Sequence, residues 1–141
     1  MRADIDFCTL DGTRLSASLY RPETTEGPFP AIVLSHGYGA VKEMALDQYA
    51  ESFCKAGFAC LLYDHRNTGA SDGTPRGEID PWQQISDMKD AITFLCCRDE
   101  IDHERIGLWG TSFSGGHCLV VAATDCRVKC VVSVVPTISG R

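Results

Sequence analysis

Short apolar runs that alternate with amphipathic stretches constrain the fold of this chain more than any other feature. Four runs have the length and composition of strands: residues 31–34, 58–63, 105–110 and 128–135. Three stretches place apolar residues at helical spacing: residues 42–55, residues 82–97 and Phe113–Thr124. Continuously apolar strands are buried on both faces. The alternation therefore predicts an α/β fold, a mostly parallel sheet with helices on both faces.

The first part of the chain lacks helical patterns. Residues 5–10 and 15–21 flank Asp11-Gly12, a dipeptide typical of a tight hairpin turn. The predicted element order is therefore β-β-β-α-β-α-β-α-β. A length of 141 residues corresponds to one domain, so residues 1–141 are assigned to a single domain.

Composition narrows the classes of partner. The formal net charge is −6 and the chain has no basic run, so nucleic acid and an anionic membrane surface are disfavoured as partners. No apolar stretch approaches the ~20 residues of a membrane span. Residues 1–6 lack the apolar core of a secretory signal. These features predict a cytoplasmic protein.

The cysteines argue against a disulfide framework and against a zinc site. Eight are present, without a C-x-x-C pair or a Cys/His ligand spacing. Most lie in apolar patterns, where a free thiol behaves as a small hydrophobic group. We expect buried, reduced thiols in a reducing compartment, and neither a metal site nor a cofactor.

The sharpest functional signal is residues 110–116, Gly-Thr-Ser-Phe-Ser-Gly-Gly, between a predicted strand and a predicted helix. This context is typical of a nucleophile elbow, in which a strained turn exposes a serine hydroxyl between small residues. With Ser112 at the centre, the flanks are Gly110 and Ser114, where the usual G-x-S-x-G has a second glycine. A register centred on Ser114 is the alternative, and Ser112 is preferred because it directly follows the strand end. A Gly/Ser-rich helix start that binds an anion is the non-catalytic interpretation.

A second loop, Ser-His-Gly-Tyr-Gly at residues 35–39, follows the apolar run at residues 31–34. Such a loop supplies a backbone N–H to an oxyanion hole, and Tyr38 is the expected donor. The second expected donor is the N–H of Phe113, the residue after Ser112. The His36 side chain is expected to be structural, hydrogen-bonded beneath the loop.

A third segment, residues 64–73, leaves a strand end through a polar turn. We expect it to be structural, with Asp64 and Arg66 paired to fix the loops around the pocket. A metal site formed by Asp64, His65 and Asp72 is the disfavoured alternative.

Together these segments resemble the α/β-hydrolase superfamily: S-H-G-Y-G-A, Y-D-H-R-N-T-G-A-S-D-G and G-T-S-F-S-G-G-H, after the opening D-G-T-R-L-S-A-S-L-Y-R-P. The chain is similar to the dienelactone-hydrolase-like and Xaa-Pro-peptidase-like branch, and within it to fungal polyketide transferases and thiohydrolases. The resemblance implies that Ser112 attacks an ester or thioester carbonyl and forms an acyl-enzyme. Water or an acceptor alcohol then releases the acyl group. It also implies a small-molecule acyl substrate beside Tyr38, Phe113 and Met44.

The sequence departs from that superfamily in its catalytic triad. The usual chain order is nucleophile, acid, histidine. After Ser112 the only side-chain carboxylate is Asp125, and the only histidine is His117, about 140° around the same helix. The other three histidines precede the elbow. The triad is therefore incomplete.

The chain thus resembles about the first half of a hydrolase, truncated after the sixth of eight strands. Its last predicted strand, residues 128–135, is then an apolar edge that invites self-association. Two hypotheses follow. The first is a serine hydrolase or acyltransferase that acts in secondary-metabolite (polyketide) biosynthesis. The second is a catalytically incomplete remnant that acts as a binding or dimerising module or has no function.

Overall fold

A six-stranded sheet organises the chain in a computed structural model, which describes residues 1–24 and 27–140. The strands are β1 (Arg2–Cys8), β2 (Arg14–Tyr20), β3 (Phe29–Ser35), β4 (Ala59–Tyr63), β5 (Ile101–Thr111) and β6 (Val128–Val134). The helices are α1 (Leu46–Lys55), α2 (Pro81–Cys96) and α3 (Phe113–Thr124). The predicted element order is confirmed.

The sheet has the spatial order β1-β2-β4-β3-β5-β6. The hairpin β1–β2 is antiparallel, and β2 joins β4 in the antiparallel direction. The strands β4, β3, β5 and β6 are parallel. Because β3 lies between β4 and β5, the carboxyl ends of these three strands meet at one edge, where α/β proteins place their sites. The predicted mostly parallel sheet is confirmed.

Helices cover both faces of the sheet, because alternate strand residues point to opposite sides. Leu61 and Leu108 belong to the core beneath α2 and α3. Their neighbours Leu62 and Trp109 belong to the core beneath α1. Asp80 caps the start of α2 by accepting hydrogen bonds from the backbone N–H groups of residues 82 and 83.

The helix predicted at residues 42–55 begins later, at Leu46. The Lys42 backbone N–H donates to Asp64 Oδ1 at 2.7 Å, and Ala45 has the left-handed φ of 67°. These two features hold residues 42–45 outside the helix.

The expectation of buried thiols is wrong for half of the cysteines. All eight are free, and Cys60 and Cys118 are buried in the core. Four others are exposed: Cys8, Cys97, Cys126 and Cys130. Cys8 and Cys130 lie on the outermost strands β1 and β6, where one neighbouring strand is missing among the described residues. No helix in the described part of the chain is long and apolar enough to cross a bilayer.

The core assignment yields a stability prediction. Leu108 is 1% exposed on β5, between β3 and β6. Leu108→Ala leaves a cavity, so we expect the free energy of unfolding in urea to fall by about 2–5 kcal/mol. The control Leu10→Ala alters a side chain that is 94% exposed, and it should change stability by less than about 0.5 kcal/mol. Equal effects of the two substitutions would contradict this core.

Candidate active site

Ser112 occupies a strained turn between the end of β5 and the start of α3. Its backbone angles are φ 54° and ψ −115°, a combination that non-glycine residues adopt only where surrounding contacts enforce it. The Ser112 N–H donates to the Val134 carbonyl at 2.8 Å, and the Thr137 N–H donates to the Ser112 carbonyl at 3.0 Å. The turn predicted around Ser112 is therefore present, anchored on both sides by backbone hydrogen bonds.

Glycines let this turn close. A Cβ on Gly110 would lie 2.5 Å from the Ser114 carbonyl oxygen and 2.6 Å from Cys118 Sγ, so no larger residue fits there. A Cβ on Gly116 would collide with the Thr137 carbonyl. Glycine at positions 110 and 116 is thus required by the packing of α3 against its surroundings.

The loop predicted to donate to an oxyanion, residues 36–39 and here named the oxyanion loop, lies directly against the turn. A Cβ on Gly37 would be 3.3 Å from Ser112 Cβ and 3.8 Å from Ser112 Oγ. The rings of Tyr38 and Phe113 meet edge to face with centroids 5.5 Å apart. The structure therefore brings Ser112, Tyr38 and Phe113 together. Within residues 1–24 and 27–140, the backbone N–H groups of Tyr38 and Phe113 donate no hydrogen bond.

His36 lies beneath this loop as a buried, neutral ring. The His65 backbone N–H donates to His36 Nε2 at 3.2 Å, so the ring proton is on Nδ1, which donates to the Gly37 carbonyl at 3.0 Å. Burial holds the pKa of His36 below its ordinary value. The side chain makes the structural contacts expected of it.

His65 is the residue that the sequence pattern did not single out for this site. It is 2% exposed, and its Nε2 lies 2.8 Å from Ser114 Oγ and 3.1 Å from Ser35 Oγ. Burial holds the pKa of His65 well below its ordinary value, so the ring is neutral. Its neighbours in the sequence carry no hint of these partners, which come from β3 and α3.

None of the four histidines hydrogen-bonds Ser112 in the part of the chain that the structure describes. His117 is 4% exposed, and burial lowers its pKa to about 4. Its ring packs on Phe113 with centroids 4.6 Å apart, and neither ring nitrogen has a partner among the described residues. His103 is exposed near Glu104. A general base for Ser112 is therefore absent from this set of side chains.

The predicted Asp64–Arg66 pair is wrong. Asp64 Oδ2 instead accepts hydrogen bonds from Lys42 Nζ and from the Ala70 N–H, both at 2.9 Å. Arg66 Nε donates to Asp87 on α2 at 2.7 Å. Asp64 faces the loop before α1 and Arg66 faces α2, on opposite sides of the sheet, so the two side chains cannot meet. Asp64 thus links the segment before α1 to the loop that follows β4, and Arg66 links that loop to α2.

Two of the side chains expected near the acyl group are exposed. Tyr38 is 71% exposed and Met44 is 61% exposed on the segment between β3 and α1. A separate cavity of about 510 Å³ lies between α2, α3 and residues 137–140, lined by Trp82, Phe113 and His117 among others. Among the described residues, no group of three His, Cys, Asp or Glu side chains is arranged to hold a metal ion.

Comparisons with known proteins agree on one group of relatives. A sequence profile of the X-Pro dipeptidyl-peptidase (S15) family matches residues 11–141. Thiohydrolase aneE of Aspergillus aculeatus is 46% identical over 98% of this chain and 42% of its own length. Acyltransferase drtE of Aspergillus calidoustus is 43% identical over 94% of this chain and 42% of its own. The crystal structure of the α/β hydrolase GrgF from Penicillium sp. sh18 matches with a TM-score of 0.91 and 39% identity, covering 96% of this chain and 46% of that protein. The chain thus spans less than half the length of these relatives.

The buried Asp64–Lys42 pair predicts a pH dependence. Burial acts to raise the pKa of Asp64, but the hydrogen bonds from Lys42 and Ala70 outweigh it and hold that pKa below the ordinary value. A carboxylate with a lowered folded-state pKa stabilises the fold above its unfolded pKa of about 3.9, and this stability is lost as pH falls through the folded pKa.

We therefore expect Asp64→Asn to lower the free energy of unfolding at pH 7 by up to about 3–5 kcal/mol, because it leaves the buried Lys42 with only the exposed Glu43 carboxylate as a counter-ion. The difference from wild type should shrink below about pH 4. Urea unfolding across pH checks this. Asp72→Asn breaks an exposed pair with Arg14 and should cost less than about 1 kcal/mol. A deficit for Asp64→Asn that stays constant down to low pH would contradict the assignment.

Proposed function

Because the chain belongs to the X-Pro dipeptidyl-peptidase (S15) family and has the α/β-hydrolase fold, we propose that Ser112 is the nucleophile of an ester or thioester hydrolase or acyltransferase. One observation carries this function: the positive φ of 54° at Ser112, on a strand-to-helix turn between small residues. Such a turn presents the hydroxyl to substrate and points the next backbone N–H toward the same carbonyl.

The reaction proceeds in two halves. Ser112 Oγ loses its proton to a base and bonds to the substrate carbonyl carbon, whose oxygen becomes an oxyanion. The N–H groups of Phe113 and Tyr38 donate hydrogen bonds to that oxyanion. The bond to the leaving alcohol or thiol breaks, the leaving group takes up the proton, and an acyl-serine ester remains. Water or an acceptor alcohol then adds to the ester carbonyl, Ser112 regains its proton, and the acid or new ester departs.

The base is the component that the described side chains, those of residues 1–24 and 27–140, do not bring to Ser112. We propose that the base and its orienting carboxylate come from polypeptide outside this stretch, either in a longer product or in a partner chain. The relatives support this, since the matched region is only 42–46% of their length. Without a base, hydrolysis should fall by several orders of magnitude, leaving the contribution of the oxyanion hole and of binding.

The substrate proposal follows from the surface and from the relatives. The exposed ring of Tyr38 packs on the half-buried ring of Phe113 beside Ser112, and Met44 is exposed on the same segment between β3 and α1 as Tyr38. They suit the hydrocarbon part of an acyl group. Relatives carry the names thiohydrolase and polyketide transferase, which favours an acyl group made by a polyketide pathway. Hydrolysis and transfer use the same residues and differ in the nucleophile that reaches the acyl-enzyme.

A fluorophosphonate probe tests Ser112 directly. We expect intact-mass spectrometry to show a single adduct on the 141-residue chain, formed slowly and accelerated by added imidazole, which replaces the missing base. Peptide mapping should place it on Ser112, and Ser112→Ala should abolish it. Ser133→Ala is the matched control, because that serine lies nearby on β6. An adduct at another residue, or none on folded protein with imidazole, overturns the function.

A second candidate function is a binding or dimerising module without turnover. Two observations favour it: no described histidine reaches Ser112, and β6 pairs only with β5 among the described strands. Val132 on this edge is 45% exposed. An edge strand with apolar side chains pairs readily with another chain.

Self-association through β6 is testable by light scattering after size-exclusion chromatography. We expect the wild-type chain to be dimeric and Val132→Lys to shift it toward monomer, because a charge on an edge strand opposes pairing. Val120→Lys, an exposed position on α3, is the control and should leave the dimer intact. A monomeric wild-type chain rules out the dimerising form of this candidate.

A further inference from the structure

Ser114 stands where the usual motif has glycine, and its hydroxyl is fully buried. The residue has 0% exposure. Ser114 Oγ donates to the His36 carbonyl at 2.5 Å and lies 2.8 Å from His65 Nε2. Ser35 Oγ donates to it at 3.1 Å. A glycine would fit the turn but would leave the His36 carbonyl without this donor.

The protons of this network can be assigned by counting. The single hydroxyl hydrogen of Ser114 goes to the His36 carbonyl, and that of Ser35 goes to Ser114 Oγ. The 2.8 Å contact between His65 Nε2 and Ser114 Oγ is then favourable only if Nε2 carries the ring hydrogen. His65 is therefore a donor to Ser114, as the neutral Nε2–H tautomer.

This network joins the two expected oxyanion donors. Ser114 follows Phe113 in the first turn of α3, so the Ser114–His36 hydrogen bond fastens that turn to the oxyanion loop. His36 Nδ1 in turn donates to the Gly37 carbonyl. That carbonyl and the Tyr38 N–H belong to one planar peptide unit and point in opposite directions. Fixing the Gly37 carbonyl therefore fixes the direction of the Tyr38 N–H.

We infer that Ser114 is a positioning residue, whose buried hydroxyl, held by His65 and Ser35, sets the relative placement of the Tyr38 and Phe113 N–H groups. The inference rests on the proposed function of Ser112 for its kinetic consequence. It also explains why position 114 has a serine where the ordinary motif has a glycine.

Two substitutions remove the hydroxyl with little risk to folding. Ser114→Gly restores the ordinary G-x-S-x-G motif, and Ser114→Ala keeps the Cβ. Ser35→Ala removes one donor to Ser114 and should act in the same direction more weakly. Ser18→Ala is the matched control, since Ser18 is 2% exposed and its hydroxyl donates to Asp4 on the distant β1–β2 hairpin.

The first readout is the rate of fluorophosphonate labelling at Ser112 in the presence of imidazole. Misplacing an oxyanion donor slows attack, so we expect Ser114→Gly and Ser114→Ala to be labelled about 10- to 100-fold more slowly than wild type. Ser18→Ala should be labelled at the wild-type rate even if its stability falls. Wild-type labelling rates in both Ser114 variants overturn the inference.

The second readout does not depend on reactivity. In ¹H–¹⁵N spectra, His65 Nε2 should carry a proton in the wild type, and the amide signal of Tyr38 should move in both Ser114 variants but not in Ser18→Ala. If wild-type Ser112 is never labelled, the proposed function fails while these spectra still decide the positioning role. A Tyr38 signal that stays in place in both Ser114 variants overturns that role.

Discussion

The parallel packing of β3 between β4 and β5 is the constraint on which the rest of the site depends. It brings three strand ends to one edge, so that residues 36–39, 64–70 and 112–116 share a small volume although they are far apart in sequence. Ser35 pairs with Gly110 in the β3–β5 register, which puts the oxyanion loop beside the strained turn. Any shift of that register by one residue would turn the side chains of β3 to the wrong faces.

Much of this architecture could be predicted because it depends on the pattern of apolar and polar residues within short segments. The residues of β4 are apolar at every position, which only a strand covered on both faces tolerates, and α3 was predicted with the bounds it has in the structure. The elbow could be located because the turn needs a small residue at position 110 and a serine at position 112, and both lie in one short segment. The late start of α1 could not be predicted, since it depends on the hydrogen bond from the Lys42 N–H to Asp64, 22 positions away.

The polar interior of the site escaped prediction for the same reason. Ser35, His65 and Ser114 are separated by 30 to 79 positions, and none of their segments indicates that the three side chains meet. The pairing expected between Asp64 and Arg66 was wrong because neighbours two apart beyond a strand end turned toward different faces. Closeness in the sequence is a poor guide to hydrogen-bond partners in buried networks, because the three-dimensional fold determines which side chains are in contact.

Two of the backbone hydrogen bonds of Ser112 lead out of its own turn, to Val134 at the end of β6 and to Thr137 just beyond it. Within the described residues, β6 has a neighbour on one side only, and edge strands open more readily than central ones. The turn at Ser112 therefore keeps its geometry only while the end of β6 stays paired. Opening of that strand end, and not unfolding of the core, limits how long the geometry lasts. A polypeptide segment that pairs with β6 would lengthen the time for which Ser112 keeps its strained conformation. Such a segment would affect the reactivity of Ser112 without contacting the substrate.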